Sequence, residues 1–296
     1  MSDRTIRALR VGYLVLLVVA AAWLVVSRWD QVVALLDSAR PWYLVAALAL
    51  SFGQLALNAA FWSTGLRAMG APTPWPLVLE VSARSLLARW VPGSLWYAAG
   101  RAALLARRGV TVAAVTSVAG LEMALSLVVV FVMGTGLLAV GGRLPGATWW
   151  LAPALALVAA VLLRPLVNRV LGWIGRRRQV EPARLPLGGY AGLLAWTVVF
   201  WTWSSLTFLT YLGAFPDLDP GPLPVVAGAY MVAWGVGFLA PIAPQGLGVF
   251  EVTLAALLQV PDLAAGSLVV AGFRLVTLAR DLIATGIAET TATRRR

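Results

Sequence analysis

Long apolar runs alternate with short polar or proline-rich connections along this chain. A bilayer core about 30 Å thick requires roughly 20 consecutive apolar residues in a helix, and several runs approach or exceed that length. The pattern predicts an all-α polytopic membrane protein forming a single membrane domain over residues 1–296. The six predicted spans are Val11–Val26, Pro41–Leu66, Val110–Val140, Thr148–Leu163, Leu187–Leu212 and Leu263–Ala288.

Two further apolar stretches are interrupted by proline and glycine, which break helices. Residues 77–108 contain Pro92 and Gly93 between two arms that are each too short to cross a bilayer. Broken backbone at membrane depth requires shielding by protein or a water-filled cavity. We therefore predict a re-entrant hairpin here and a second one over residues 225–258. The break residues of the second hairpin are Pro241, Pro244, Gly246 and Gly248.

The distribution of arginine predicts the topology, because basic loops favour the cytoplasmic side. If the first hairpin dips in from the cytoplasm and the second from outside, every strongly basic loop lies inside. Both termini and the basic linker 164–186 are then cytoplasmic, whereas Asp217 and Asp219 face outward. We expect Ser27–Arg40 to be a loop of mixed charge.

Each hairpin is flanked by full spans, which divides the chain into halves at about 41–140 and 187–288. Two similar units that enter the membrane from opposite sides are the signature of an inverted repeat. In such folds the binding site lies near the midplane, where the broken elements meet. We therefore expect a site between the two hairpins.

Charged residues follow the two breaks with exchanged signs. Arg101 and then Glu122 follow the first break, whereas Glu251 and then Arg274 follow the second. Charges at bilayer depth are expensive, so partners are expected. We predict pairs between the halves, Arg101 with Glu251 and Glu122 with Arg274. Two alternatives remain open: pairing within one half, and a purely structural role in which the pairs only hold helices together.

Composition narrows the possible chemistry. The chain is 60% hydrophobic with a mean hydropathy of +0.86, and its net charge of +11 comes from 23 arginines without any lysine. Cysteine and histidine are both absent, which removes thiolate nucleophiles and the commonest general base and metal ligand. We expect no catalytic residues, no metal site, no cofactor and no nucleic-acid binding.

Other polar residues lie within the apolar segments. Gln54 and Asn58 share one helix face, where interhelix hydrogen bonding is preferred over lining a cavity. Glu80 and Arg84 have the spacing of a helical ion pair. Gly134 and Gly136, or Gly228 and Gly235, are expected to ease helix contact rather than to mark a site. The candidate substrate-binding residues are Arg84, Arg89, Arg101, Glu122, Glu251, Arg274, Arg280 and Asp281.

Two motifs resemble those of a known family. The stretch W-V-P-G-S-L-W-Y-A-A-G-R, from Trp90 to Arg101, and the stretch P-I-A-P-Q-G-L-G-V-F-E, from Pro241 to Glu251, carry the resemblance. They are similar to segments of the transmembrane domain of lysylphosphatidylglycerol synthases, the multiple peptide resistance factor type. Gln245 departs from the glycine, and Ser94 from the basic residue, that this family often has at those positions.

The resemblance implies a flippase-like domain in a bacterial cell membrane. Its cargo would be an anionic or aminoacylated phospholipid, or a polyprenyl-linked lipid, bound through its phosphate head group. We expect a stand-alone member without the aminoacyl-transferase domain, so the synthase activity is not expected. The possible partners are a second copy of the chain, which would form a homodimer, and a glycosyltransferase or lipid-modifying enzyme.

Three alternatives differ in class. A secondary transporter of a small solute would use the same inverted hairpins, and DedA-type polyprenyl-phosphate carriers share such hairpins. A non-transporting scaffold for a glycosyltransferase or lipid synthase needs no transport path. An embedded enzyme is disfavoured, because no nucleophile motif is recognisable.

Overall fold

The structure is a computed structural model, and it describes residues 26, 29–90, 95–144, 150–178, 184–216, 218, 220–240, 246, 248–259 and 263–293. Every regular element within these ranges is helical, as predicted. The helices are α1 Trp29–Ser38, α2 Pro41–Ala68, α3 Trp75–Ser85, α4 Leu95–Ala106, α5 Val112–Val140, α6 Leu151–Arg178, α7 Leu187–Leu212, α8 Leu223–Phe238, α9 Val249–Leu258 and α10 Leu263–Thr293, with a 3₁₀ segment at Leu86–Trp90.

Three helices in the described part of the chain have the length and apolarity to cross a membrane. They are α2, α5 and α7, with mean hydropathies of 1.7, 2.5 and 1.3 over their most apolar windows. The apolar helices α8 and α9 are shorter, as expected for the arms of the second hairpin. The first predicted span, Val11–Val26, lies almost entirely outside the described residues. The arrangement of six spans with two hairpins therefore stays a prediction.

Two predicted loops are in fact largely helical. Ser27–Arg40 was expected to be a loop, but α1 occupies Trp29–Ser38 within it. The basic linker was expected from residue 164, but α6 continues through Pro165 to Arg178. Arginine is a good helix former, so a basic segment prolongs an apolar helix readily once that helix is nucleated.

Helices α2 and α7 form an antiparallel pair at the centre of the bundle. The indole Nε1 of Trp203 donates to the carbonyl oxygen of Leu50 at 2.7 Å. At one end of the pair the N–H of Arg40 donates to the carbonyl of Ala214 at 2.7 Å, and at the other end Gly189 adjoins Ala68. An inverted repeat requires the equivalent helices of its two halves to run in opposite directions, as α2 and α7 do.

The remaining contacts occur in matched sets. Helix α5 packs against α8, and its counterpart α10 packs against α3. Likewise α4 packs against α5, and α9 against α10. The second arms α4 and α9 therefore each contact the long helix that follows them, and the long helices α5 and α10 each contact the first arm of the other half.

Glycine permits the closest of these approaches, between α5 and α8. A methyl group built on Gly228 would lie 2.6 Å from the carbonyl oxygen of Gly134, which no side chain can tolerate. Small residues let membrane helices approach at backbone distance. The predicted role in helix contact is confirmed for Gly134, Gly228 and Gly235. It is wrong for Gly136, where an added methyl group would meet open space.

Candidate functional site

A buried polar cluster joins α4 to α2 and α5. The carboxylate of Glu122 on α5 accepts from Asn58 Nδ2 at 2.5 Å and from Trp62 Nε1 at 2.7 Å. Arg101 on α4 donates through Nη2 to Asn58 Oδ1 at 3.0 Å, and its Nη1 lies 3.8 Å from Glu122 Oε2. Three helices therefore contribute to one neutral group of charges.

Burial makes this cluster expensive to break. Arg101 is fully buried, and its guanidinium lies 4.1 Å from the centre of the Trp62 ring. An arginine stays charged in proteins, so its cost at membrane depth is offset only by partners. Asn58 bridges the two charged groups, because its amide donates to the carboxylate and accepts from the guanidinium. This is the interhelix hydrogen bonding that the sequence favoured for Asn58.

A second ion pair follows the second break. The Nε atom of Arg274 on α10 lies 2.7 Å from Oε1 of Glu251 on α9. The other carboxylate oxygen of Glu251 accepts the backbone N–H of Gly248 at 2.7 Å. The guanidinium of Arg274 also lies 5.5 Å from the ring centre of Phe250. Glu251 therefore both caps the start of α9 and holds α10 against it.

Glycines shape the turn that places Glu251. Gly246 and Gly248 have φ values of +66° and +83°, in the left-handed region that favours glycine. A methyl group on Gly246 would lie 2.6 Å from the Cα of Gly237, so α8 and this turn meet at backbone distance. The predicted break residues Pro241 and Pro244 lie outside the described residues.

The predicted exchange of partners between the halves is wrong. Arg101 lies beside Glu122, and Arg274 beside Glu251, so each pair joins an arm to the following helix of its own half. Pairing within one half, the alternative that the sequence left open, is what the structure has. The physical reason is adjacency along the chain: α4 packs on α5, and α9 packs on α10, the helix that immediately follows it.

A third buried cluster lies where α10 crosses α2. Arg280 donates through Nε to Asp281 at 2.8 Å, and through Nη1 to Gln54 Oε1 at 2.9 Å and to the carbonyl of Ser51 at 3.1 Å. Arg280 and Asp281 are almost completely buried. Gln54 and Asn58 therefore serve different clusters although they lie on one helix.

Arg84 occupies a more exposed position on α3. It forms the predicted pair with Glu80 at 3.8 Å and a closer one with Glu289 of α10 at 2.8 Å. The side chain of Arg89, and the predicted break residues Pro92 and Gly93, lie outside the described residues. Across the described ranges no three acidic, histidine or cysteine side chains converge as metal ligands would.

Sequence reasoning missed two partners of the predicted charges. Trp62 donates to Glu122 and Glu289 binds Arg84. The spacing of Gln54, Asn58 and Trp62, each four residues after the last, was the available signal, since it places three polar groups along one helix face. No comparable pattern marks Glu289, whose partner lies on a helix distant in sequence.

A match to a protein family extends over both halves of the chain and both Pro/Gly-rich segments. The family model described as the lysylphosphatidylglycerol synthase TM region matches residues 11–284. The chain belongs to this family. No curated protein matches it. Family membership and the apolar helices together make it an integral membrane protein. The resemblance carried by the Pro/Gly motifs is thereby confirmed, and their charged residues occupy the first two clusters described above.

Proposed function

We propose that this member of the lysylphosphatidylglycerol synthase TM family moves a lipid with a charged head group between the leaflets of its membrane. Family membership supports a role in lipid handling. The transport itself, its cargo and its direction are part of the proposal. We further propose transport rather than catalysis, because the sequence has no histidine or cysteine to act as base or nucleophile.

One observation carries this proposal: two ion pairs of opposite polarity join the helix after each Pro/Gly break to the long helix that follows it. The arm after the first break carries the arginine of its pair, and the arm after the second break carries the glutamate. In an inverted repeat these pairs occupy equivalent positions. A head group that passes between them meets a cation on one arm and an anion on the other.

Energetics favours a functional role over a structural one. Desolvation cancels much of the attraction within a buried ion pair, so apolar residues could hold the same helices at similar or lower free energy. Ionisable groups within membrane segments therefore mark pathways by default. Arg274 and Glu251 keep side-chain exposures of 15% and 10%. Arg274 is thus accessible to a phosphate that replaces Glu251 as its partner.

The outer surface suits the lipid tails. Large apolar side chains such as Leu155, Val161, Val252 and Leu275 are exposed on several helices. In a membrane these surfaces face acyl chains, which can stay in the bilayer while only the head group crosses. A carrier of this kind needs no channel wide enough for a whole lipid.

Reconstitution tests the proposal. Liposomes containing the protein and fluorescent lipids of several head groups report transfer as the fraction accessible to a membrane-impermeant quencher. We expect head-group-dependent transfer that falls at least tenfold in Glu251→Gln, and no change in Asp37→Asn, an exposed acidic residue on α1. Wild-type liposomes that show no head-group-dependent transfer, or equal transfer by Glu251→Gln, would refute it.

A further inference from the structure

A small basic pocket lies between α3 and α4, apart from the buried clusters. Its volume is about 110 Å³. The lining combines three guanidinium groups, one carboxylate and two apolar side chains. These residues are Glu80, Val81, Arg84, Leu104, Arg107 and Arg108.

One of the three arginines is fixed in place. The Nε of Arg84 lies 2.8 Å from Glu289 Oε1 and its Nη2 lies 3.3 Å from Oε2, so the guanidinium is held by both oxygens of one carboxylate. Glu80 approaches the same guanidinium from within α3 at 3.8 Å. An arginine held in this way keeps its remaining N–H groups in a defined direction, which lowers the entropy lost on binding.

The backbone that carries the other two arginines is also held. The N–H of Val110 donates to the carbonyl of Leu105 at 3.2 Å, and Gly109 has a φ of +82°, which together form a helix C-cap. Thr111 then caps the start of α5 by accepting the N–H of Ala114 at 3.2 Å. Arg107 and Arg108 therefore lie on a short turn between two capped helices.

Charge in the pocket is unbalanced. Glu80 and Glu289 both lie beside Arg84. Among the described residues no carboxylate lies within ion-pair distance of Arg107 or Arg108, and both side chains are exposed. Two guanidinium groups are thus available to an anion beside a third that is already oriented.

We propose that this pocket binds the phosphate of an anionic phospholipid at the membrane surface. Arginine forks match the geometry of phosphate oxygens. Leu104 and Val81 give the same pocket an apolar wall, which suits a glycerol backbone and the start of an acyl chain better than a free ion. The pocket is separate from the Arg101 and Arg274 pairs, none of whose residues lines it.

An equilibrium measurement on the full chain tests the site. The chain has no cysteine, so Ala106→Cys, at the exposed end of α4, introduces a single position for a fluorescent label. Nanodiscs of phosphatidylcholine receive increasing amounts of spin-labelled phosphatidylglycerol or spin-labelled phosphatidylcholine as quenchers. We expect stronger quenching by the anionic lipid. That preference should fall about fivefold for each arginine removed in Arg107→Gln and Arg108→Gln.

Matched variants distinguish a specific binding site from general attraction of anionic lipids to a basic surface. Glu80→Gln removes the carboxylate of the pocket and should raise the preference. Arg67→Gln removes an exposed arginine at the end of α2 and should leave it unchanged. A preference that survives Arg107→Gln/Arg108→Gln, or that falls equally in Arg67→Gln, would overturn the proposal.

A second experiment distinguishes the phosphate of a lipid from free inorganic phosphate. Inorganic phosphate is titrated into labelled protein in pure phosphatidylcholine nanodiscs, with chloride at equal ionic strength as the reference. A saturable fluorescence response to phosphate, without any preference for phosphatidylglycerol, would assign the pocket to the free ion and overturn the lipid assignment. Because this assay measures binding alone, its result does not depend on whether lipid transfer occurs.

Discussion

Arg274 Nε and Glu251 Oε1 lie 2.7 Å apart, and this pair joins the helix after the second break to the long helix that follows it. Arg101 and Glu122 join the corresponding helices of the first half, with the charges reversed. The two pairs differ in geometry. Glu251 binds its arginine directly, whereas Arg101 reaches Glu122 mainly through the amide of Asn58.

Neutralising one partner of the second pair should destabilise the protein more than neutralising both. Glu251→Gln leaves a largely buried guanidinium without its counter-charge; breaking a fully buried pair costs about 3–5 kcal/mol, and the partial exposure of Arg274 lowers the loss expected here. Glu251→Gln/Arg274→Gln removes both charges and should recover part of that loss. The apparent Tm in one detergent, followed by size-exclusion chromatography after heating, measures the difference. Asp37→Asn serves as the exposed control, and a double variant no more stable than Glu251→Gln would contradict the prediction.

Charge reversal should rescue only pairs within one half. Arg101→Glu/Glu122→Arg restores opposite charges at neighbouring positions, so we expect a higher folded yield than for Arg101→Glu alone. Arg101→Glu/Glu251→Arg places the new arginine beside Arg274 and should recover nothing. Yield of monodisperse protein from the same expression volume is the measurement. Recovery by the second combination would show contact between the halves and overturn the pairing described here.

Removing one hydrogen bond should weaken the first cluster without removing its aromatic ring. Trp62→Phe keeps a ring beneath Arg101 but loses the N–H that binds Glu122 at 2.7 Å. Hydrogen bonds to charged groups contribute roughly 1.5–3 kcal/mol, so we expect a clear loss of thermal stability. Trp42→Phe, which alters an exposed tryptophan on α2, is the matched control. Equal Tm values for the two variants would argue against the bond.

Adding one methyl group at the second break should separate steric contact from backbone strain. Gly246→Ala and Gly248→Ala both force a side chain into the left-handed region, at roughly 1–2 kcal/mol each. Only Gly246 also faces backbone atoms, with Gly237 Cα 2.6 Å from the added methyl group, whereas Gly248 faces open space. We therefore expect Gly246→Ala to lower the apparent Tm and lipid transfer more than Gly248→Ala. Similar losses in both variants would mean that α8 moves away at little cost.

Several features of this fold follow from sequence because they depend on local patterns. The apolar run Leu187–Leu212 predicts α7 to the residue, since a helix satisfies the backbone of a single segment in lipid by its own hydrogen bonds. Prolines and glycines predict where the short arms begin and end. The cost of charge at membrane depth predicts that Arg101, Glu122, Glu251 and Arg274 have partners.

Other features could not be predicted, because they depend on which helices touch. The sequence shows two arginines and two glutamates with reversed order, and this permits pairs within the halves or between them. The choice is made by the packing of α4 on α5 and of α9 on α10, which brings each arm to its own following helix. Likewise Gln54 and Asn58 share a face by periodicity, but only the crossing of α10 and α5 over α2 assigns them to different clusters. The sequence alone thus determined that the buried charges must be paired, and the tertiary structure decided with which partner, because pairing depends on distances between helices that periodicity does not contain.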